Sequence, residues 1–571
     1  MNKDAEEYSD WSRERLVDRV QELERQLRQS NTRYHPSTSP RAPFKRNTRA
    51  DRQFDPSRYS TRHIALKLAY LGQRYNGFEH HINNKTSRPT IEEELFKALA
   101  KARLIFPRDG HETASGMVDW DGSDYSKCGR TDKGVSAFGQ VIGLRVRSNR
   151  PLARKGDKAI AEGQIERPPK GERDVDDAAT DVEGEESPFD PIKDELPYPI
   201  ILNHLLPEDI RILAWCPSPP EGFSARFSCR ERRYKYFFSQ PAFAPLPGTA
   251  GLSSSQRENG ELRTGYLNIE AMREGASRFV GLHDFRNFCK IDPSKQITNF
   301  ERRVFHATVD EVEPSRAPVS YVGNQGLRAT GLEDLQTTDH SSGSDPALKM
   351  YTFTLHGSAF LWHQVRHMVA ILFLIGQGLE SPSLISQLLD VKLNPTKPMY
   401  EMASDAALVL CDCIFPKEDD EARRDALDWV FVGENSGAEK TTSKWSDGKF
   451  GPGGVVDDLW RAWRKRKIDE VLAGSLLDLA AEQGEKLSAS AAGSYIVREH
   501  SGKVSQRVFA GGDGPRLAGK YVPVLKKPKM ETPETVNKRY AQRKNFEMDG
   551  QRRQAGFKSV QLDQDTVSGP S

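Results

Sequence analysis

Residues 63–70 alternate apolar and polar positions, with Ile64, Leu66, Leu68 and Tyr70 on one face. A period of two predicts a half-buried strand. Thr90-Ile91-Glu92-Glu93 has the form of a helix start, a threonine cap with a glutamate three residues on. Ile91, Leu95, Leu99 and Ala102 then form the apolar stripe of that helix. A second alternating run, 141–146, follows a loop between Gly129 and Gly139. Further strands are predicted at 232–239, 303–309, 351–355 and 407–415. Residues 362–377 are apolar on most faces, which predicts a buried helix. Strands and helices interleaved through short connections predict a mixed α+β sheet rather than a doubly wound one.

Polar stretches divide the chain. Within 1–60, residues 8–30 space Leu16, Val20, Leu23 and Leu27 as an amphipathic helix, either docked on its own protein or forming a dimer seam. Residues 31–60 read as a basic linker. A first domain is expected at 61–222, with a charged insertion at 151–196. A second is expected at 223–416, with insertions at 241–264 and 311–348. All three insertions lack the apolar residues of a core and read as disordered surface segments. Residues 417–571 read as a polar, largely disordered extension. It carries two basic clusters, 460–467 and 526–529, suited to RNA contact, to nuclear import or simply to a solvated tail.

Composition adds limits. The 571 residues are only 36% hydrophobic, and the mean hydropathy is −0.67, which fits a core diluted by such segments. The 83 basic and 81 acidic residues leave a net charge of +2, so any nucleic-acid surface must come from local clustering. None of the six cysteines forms a C-x-x-C pair, and so few in a long chain fit a reducing compartment. Cys411 and Cys413, two apart in a predicted strand, should share a face, where they read as buried thiols or, less favoured, as metal ligands. His63, His80, His81 and His363 show no metal-ligand spacing and read as structural or RNA-facing. The first thirty residues are too charged for a signal peptide. The longest apolar run, 368–375, is far short of the ~20 residues of a membrane helix.

The candidate chemistry lies in Cys128-Gly129-Arg130-Thr131-Asp132-Lys133-Gly134-Val135-Ser136-Ala137. Its glycines permit a tight turn and close approach to a ligand. The one carboxylate, Asp132, is flanked by Arg130 and Lys133. Fixed cations beside it should keep it ionised, as a nucleophile requires.

This loop resembles the G-R-T-D-x-G-V-x-A signature of TruA-type pseudouridine synthases. Gly129, Arg130, Thr131, Asp132, Gly134, Val135 and Ala137 fill every specified position. Other segments resemble the same family: residues 70–78, Phe223-Ser224-Ala225-Arg226, Arg233-Tyr234-Lys235-Tyr236, Gly281-Leu282-His283-Asp284-Phe285 and 359–366. Within it, residues 284–290, 361–366 and 399–403 are most similar to the eukaryotic synthases acting at tRNA positions 38 and 39. The resemblance covers 61–416 outside the insertions, and residues 520–524 resemble the family's C-terminal extension.

The resemblance implies two α+β, RRM-like domains with antiparallel sheets around a central basic cleft. It implies a homodimer that binds the anticodon arm of tRNA, with no cofactor, no metal and no membrane. Asp132 would be the nucleophile, at the ribose C1′ or at uracil C6. Tyr234 would pack on the target base, and Tyr234 or a water would take the C5 proton. Arg366 would pair with Asp132; a buried arginine needs such an anion, since an unpaired charge there costs several kcal/mol. Arg130 would fill the flipped nucleotide's place or bind its phosphate, with Lys133 as a further substrate contact. Two other readings are a synthase for other tRNA positions or RNAs, and a non-catalytic RNA-binding protein. Nucleus and cytoplasm are both open as locations.

Overall fold

The computed structural model describes residues 55–81, 86–107, 118–152, 189–243, 265–312, 349–417, 420, 423–434, 448–483, 507–512, 514, 516–517 and 520–544, besides 19 and 22. Arg19 and Glu22 are helical, and the rest of the helix expected at 8–30 lies outside the described residues. Most of each expected insertion, 153–188, 244–264 and 313–348, also lies outside them. The described fold belongs to the unit of residues 57–571.

The alternating runs pair as one mostly antiparallel sheet. β1 (Ser60–Tyr70) lies between β3 (Ser136–Ser148) and β4 (Ile210–Cys216). The short β2 (Ser126–Lys127) pairs with β3, and β10 (Val430–Phe431) closes the edge beside β4. In the second half β5 (Glu231–Gln240), β8 (Lys349–Gly357), β7 (Glu301–Glu311) and β6 (Gly281–Asp284) run in that order. β9 (Leu408–Ile414) joins the halves. It is antiparallel to β5 but parallel to β3, through Ser136↔Val409 and Ala137↔Leu410. A chain segment from late in the sequence thus pairs with the strand that leaves the glycine-rich loop.

Each half has its own core. Ile64, Leu66 and Leu68 of β1 pack with Leu95 and Leu99 of helix α1 (Ile91–Lys101). Thr90 caps α1 by accepting from the Glu93 amide at 3.2 Å, while the Glu93 carboxylate turns to Lys97 at 2.6 Å. The short α2 (Tyr198–Asn203) adds Tyr198 and Leu202 to this core. In the second half, α3 (Ile269–Ser277) packs on α4 (Gln364–Gly376), every residue of which is buried, and α5 (Ser383–Leu389) adds Leu384, Ile385 and Leu388 to the same core. Burying each of its Leu, Ile and Phe side chains contributes about 1.5–3 kcal/mol. Tyr234 of β5 packs against both cores. The result is a mixed α+β fold in which both halves share one sheet.

Two boundaries differ from the expected ones. The first insertion ends before 196, because buried Glu195 accepts from Ser148 Oγ at 2.6 Å and pairs with Arg62 at 2.9 Å. The C-terminal extension is also more ordered than its polarity suggests. It contributes α6 (Val455–Glu482), α7 (Pro533–Arg543) and two short strands, β11 (Arg507–Val508) and β12 (Arg516–Leu517). Sparse anchors suffice: Val508, Phe509 and Val524 enter the second core, and Glu380 accepts from Tyr521 Oη and the Val524 amide, both at 2.6 Å. Both expected basic clusters are in the described structure, the first on α6 with the Trp460 and Trp463 rings 4.9 Å apart.

α6 is tied to the sheet by a buried ion pair. Arg211 of β4 donates to Asp458 Oδ2 from Nη2 at 2.6 Å and from Nε at 3.1 Å. Replacing one partner strands the other charge, which costs about 3–5 kcal/mol. Asp458→Ala should therefore lower the unfolding free energy by about that amount, read from urea denaturation. A loss under about 1 kcal/mol would mean that α6 is not held by this pair.

Candidate active site

The glycine-rich loop is held by its backbone. Gln140 of β3 clamps Gly129: its Oε1 accepts from the Gly129 amide at 2.9 Å and its Nε2 donates to the Gly129 carbonyl at 2.8 Å. Thr131 Oγ1 lies 2.7 Å from buried Tyr70 Oη, and the Thr131 carbonyl accepts from the Phe78 amide at 3.1 Å. Close approach explains two glycines. A Cβ at Gly72 would stand 2.0 Å from the Val135 carbonyl oxygen, and Gly134 takes φ +80° with Asp405 Oδ1 2.9 Å from its Cβ direction. Asp132 is thereby presented from a rigid turn, its side chain 24% exposed.

The second half supplies what faces it. Phe360 to His363 lead into α4. His363 Nε2 lies 3.5 Å from Asp132 Oδ2. Trp362 is 39% exposed, its ring tilted against that of His363 with centres 4.7 Å apart, and Lys290 Nζ lies 4.6 Å and Lys295 Nζ 6.0 Å from the ring centre. Arg366 is buried in the first turn of α4. Its Nε donates to the Ala403 carbonyl at 2.7 Å, and its Nη1 lies 3.7 Å from Asp405 Oδ2. Its direct ion pair is thus with Asp405, and it acts on Asp132 through the charge it brings near it.

The electrostatics correct one expectation. The sequence neighbours of Asp132 do not set its ionisation. Burial raises its pKa, with the Asp405 charge adding to the rise, while Arg366, the Trp362 side chain and Lys295 pull it down. Lys133 is exposed, and Arg130, also largely exposed, sits 3.5 Å from Glu79. Adjacency in sequence is not adjacency in space when alternate residues of a turn point apart. Burial, helped by Arg366 and nearby lysines, holds His363 down to about 4, so its imidazole is neutral near pH 7. Tyr234 lies edge-on to Phe360 with ring centres 5.2 Å apart, and burial pushes its hydroxyl well above its usual value. It is therefore a phenol at neutral pH.

Two other buried groups adjoin the loop and α4. Cys128, Cys229 and Cys413 bring their sulfurs within 4.8 Å of one another, a set that could hold a thiophilic ion. Hydrogen bonds from Cys128 and Cys413 favour the thiolate at Cys229. Cys411 does not join them. A bulge opposite Arg233 and Tyr234 breaks the strand alternation at that point, so the expected shared face of Cys411 and Cys413 is lost. Behind Arg366, Lys397 Nζ lies 2.8 Å from His367 Nε2, and burial brings this lysine down to about 7.

The structure thus brings Asp132, Arg366 and the expected helix start together, and places Tyr234 beside Phe360 of the same approach segment. It sends Arg130 and Lys133 outward. Asp405, Trp362, Lys290 and Lys295 were not singled out from sequence as site residues. Trp362 and Lys290 carry a signal, since they lie in the segments 361–366 and 284–290 that resemble the family.

Comparison with known proteins gives the family. A family model described as tRNA pseudouridine synthase matches residues 276–416, which include Trp362, His363, Arg366 and Asp405. The tRNA pseudouridine(38/39) synthase of Saccharomyces cerevisiae is 37% identical over 422 residues, 72% of this chain and 72% of that protein. The human protein of the same name is 37% identical over 414 residues, covering 72% of this chain and 68% of its own length. The tRNA pseudouridine synthase A of Methanothrix thermoacetophila is 26% identical over 330 residues, 57% of this chain and 74% of its own. With one carboxylate presented between two halves of a sheet and relatives matched across both halves, the chain belongs to the tRNA pseudouridine synthase family.

Proposed function

We propose that this chain isomerises uridine to pseudouridine in the anticodon arm of tRNA, at positions 38 and 39, with Asp132 as nucleophile. The observation that carries the proposal is a single part-buried carboxylate on a clamped turn, faced by Arg366, His363 and Trp362. The relatives' names supply the positions.

The reaction breaks the N1–C1′ bond, turns the uracil and forms a C5–C1′ bond; the proton lost from C5 is balanced by one gained at N1. No oxidant or group donor is consumed. The target base must leave its stack, which costs a few kcal/mol. Trp362 with Lys290 and Lys295 offers a stacking surface flanked by phosphate-seeking cations. Asp132 then attacks at C1′ or at C6, and either route needs its charged form. Arg366 favours that form from the buried side. Tyr234, a neutral phenol in the free protein, or a water takes the C5 proton. We further propose that residues 61–222 and 223–416 act as two RRM-like domains around the RNA, and that two copies of the chain share one tRNA. No described helix is long and apolar enough to cross a membrane.

Asp132→Ala should bind tRNA with the affinity of the parent yet lose at least about 10⁴-fold in single-turnover rate on a transcript with uridines at 38 and 39. Retention of more than a tenth of the rate would end the nucleophile assignment.

Trp362→Ala should weaken tRNA binding by about 1–3 kcal/mol, the worth of one stacked base. Lys290→Ala should flatten the salt dependence of log K by about 0.7–0.9 of a unit, as expected for one phosphate contact. Filter binding across a salt series reads both; unchanged affinity and slope would place the RNA elsewhere.

A further inference from the structure

We infer that His363 is a positioning residue for Asp132, its imidazole pinned by a left-handed backbone turn so that an Nε2–H donor holds the carboxylate in its attacking orientation. The inference rests on Asp132 being the nucleophile and names a group that holds it there.

Three observations meet at this residue. The first is its backbone. His363 precedes the first turn of α4 with φ 60° and ψ 11°, in the left-handed region. A non-glycine residue held there costs on the order of 1–3 kcal/mol and persists where surroundings demand it. A helix start needing only that geometry would be met at lower cost by glycine or asparagine. The side chain must therefore be what the position keeps.

The second is where the ring points. Nε2 faces Asp132 Oδ2 at 3.5 Å, with the histidine side chain only 10% exposed. That is slightly beyond hydrogen-bond range, and such catalytic contacts tighten when substrate is bound. The Trp362 ring lies against the imidazole, tilted, with centres 4.7 Å apart.

The third is the other ring nitrogen. Nδ1 is buried with no hydrogen-bond partner among the described residues. Only one nitrogen of a neutral imidazole carries the proton. Placing it on Nε2 gives that proton an acceptor in Asp132 and leaves Nδ1 a bare lone pair. The opposite tautomer would leave an N–H buried without a partner and set a lone pair against the carboxylate.

The surrounding charges fit a neutral donor. Burial first, and then the charges of Arg366, Lys290 and Lys397, hold His363 down to about 4, and His367 lies close behind. Asp132 itself feels Arg366 and Lys295 on one side and Asp405 on the other. A second full positive charge against Asp132 would neutralise the nucleophile. A neutral N–H orients it and favours its charged form while leaving that charge available.

The test compares two substitutions in the full-length protein by single-turnover kinetics on tRNA between pH 4.5 and 8. His363→Gly keeps the left-handed turn, relieves its strain and removes the donor. His363→Gln puts an amide N–H donor at the reach of the histidine Nε2. The expected result is a rate about 10- to 100-fold lower for His363→Gly, the scale of a misplaced reacting group. Its acid limb should move to higher pH, since the carboxylate loses a donor to its charged form. Binding of tRNA should stay within about twofold, a change under 0.5 kcal/mol. His363→Gln should recover most of the rate and return the limb toward the parent. A rate and acid limb unchanged in His363→Gly would overturn the inference, as would equal losses in both variants. Asp132→Ala in the same assay separates the two levels. If it is inactive while His363→Gly behaves as the parent, only the histidine role fails; if it is active, the nucleophile assignment fails first.

Discussion

A carboxylate is expensive to hold away from water, and this fold sets Asp132 where the two halves of its sheet meet. Much of the neighbourhood answers to that cost. Arg366 sits in the first turn of a wholly buried helix, anchored through the Ala403 carbonyl, so its charge cannot drift from the site. The turn bearing Asp132 is clamped by Gln140 rather than by a ladder, which leaves the carboxylate free of its own backbone. The β3–β9 pairing then fixes this turn against residues that arrive nearly three hundred positions later in the chain. A loop held only by its own neighbours could not keep a buried charge opposite a buried counter-charge.

Much of this was legible in the sequence because it depended on period and on local chemistry. The strand alternation of 63–70 is seen as the buried face of β1, and Thr90 caps α1 as its spacing implied. The apolar 362–377 run became α4. The turn signature pointed to Asp132, and Arg366 could be singled out because an arginine on an apolar helix has few ways to be satisfied.

What was not legible depended on distance in the chain or on single-residue breaks in a pattern. The bulge at Cys411 reverses a face that strict alternation assigned, and no composition rule marks a bulge without glycine or proline. Asp405 is an unremarkable aspartate in sequence, yet it is the direct ion partner of Arg366. The C-terminal extension looked unfolded because its anchors, such as Phe509 and Val524, are separated by polar residues. Helix α4 begins at Gln364 rather than at Trp362 because His363 takes a left-handed conformation, which leaves Trp362 outside the helix and part-exposed at the site.

The position of Arg366 between two carboxylates has a consequence for how the site responds to RNA. One guanidinium serves both Asp132 and Asp405, while Asp405 in turn disfavours charge on Asp132. The balance is struck in a site that still admits water, with Asp132 24% exposed. A base entering the cleft removes that water and raises the cost of the charge. In the proposed complex, phosphates near Lys290 and Lys295 would offset the positive field from the outer side. Arg366 and the neutral His363 are themselves nearly buried, so they lose little water in that step. The buried pair therefore carries more of the support for the Asp132 carboxylate in the bound state than in the free one. That is why this support comes from α4 within the core and not from the exposed Arg130 and Lys133 beside it in sequence.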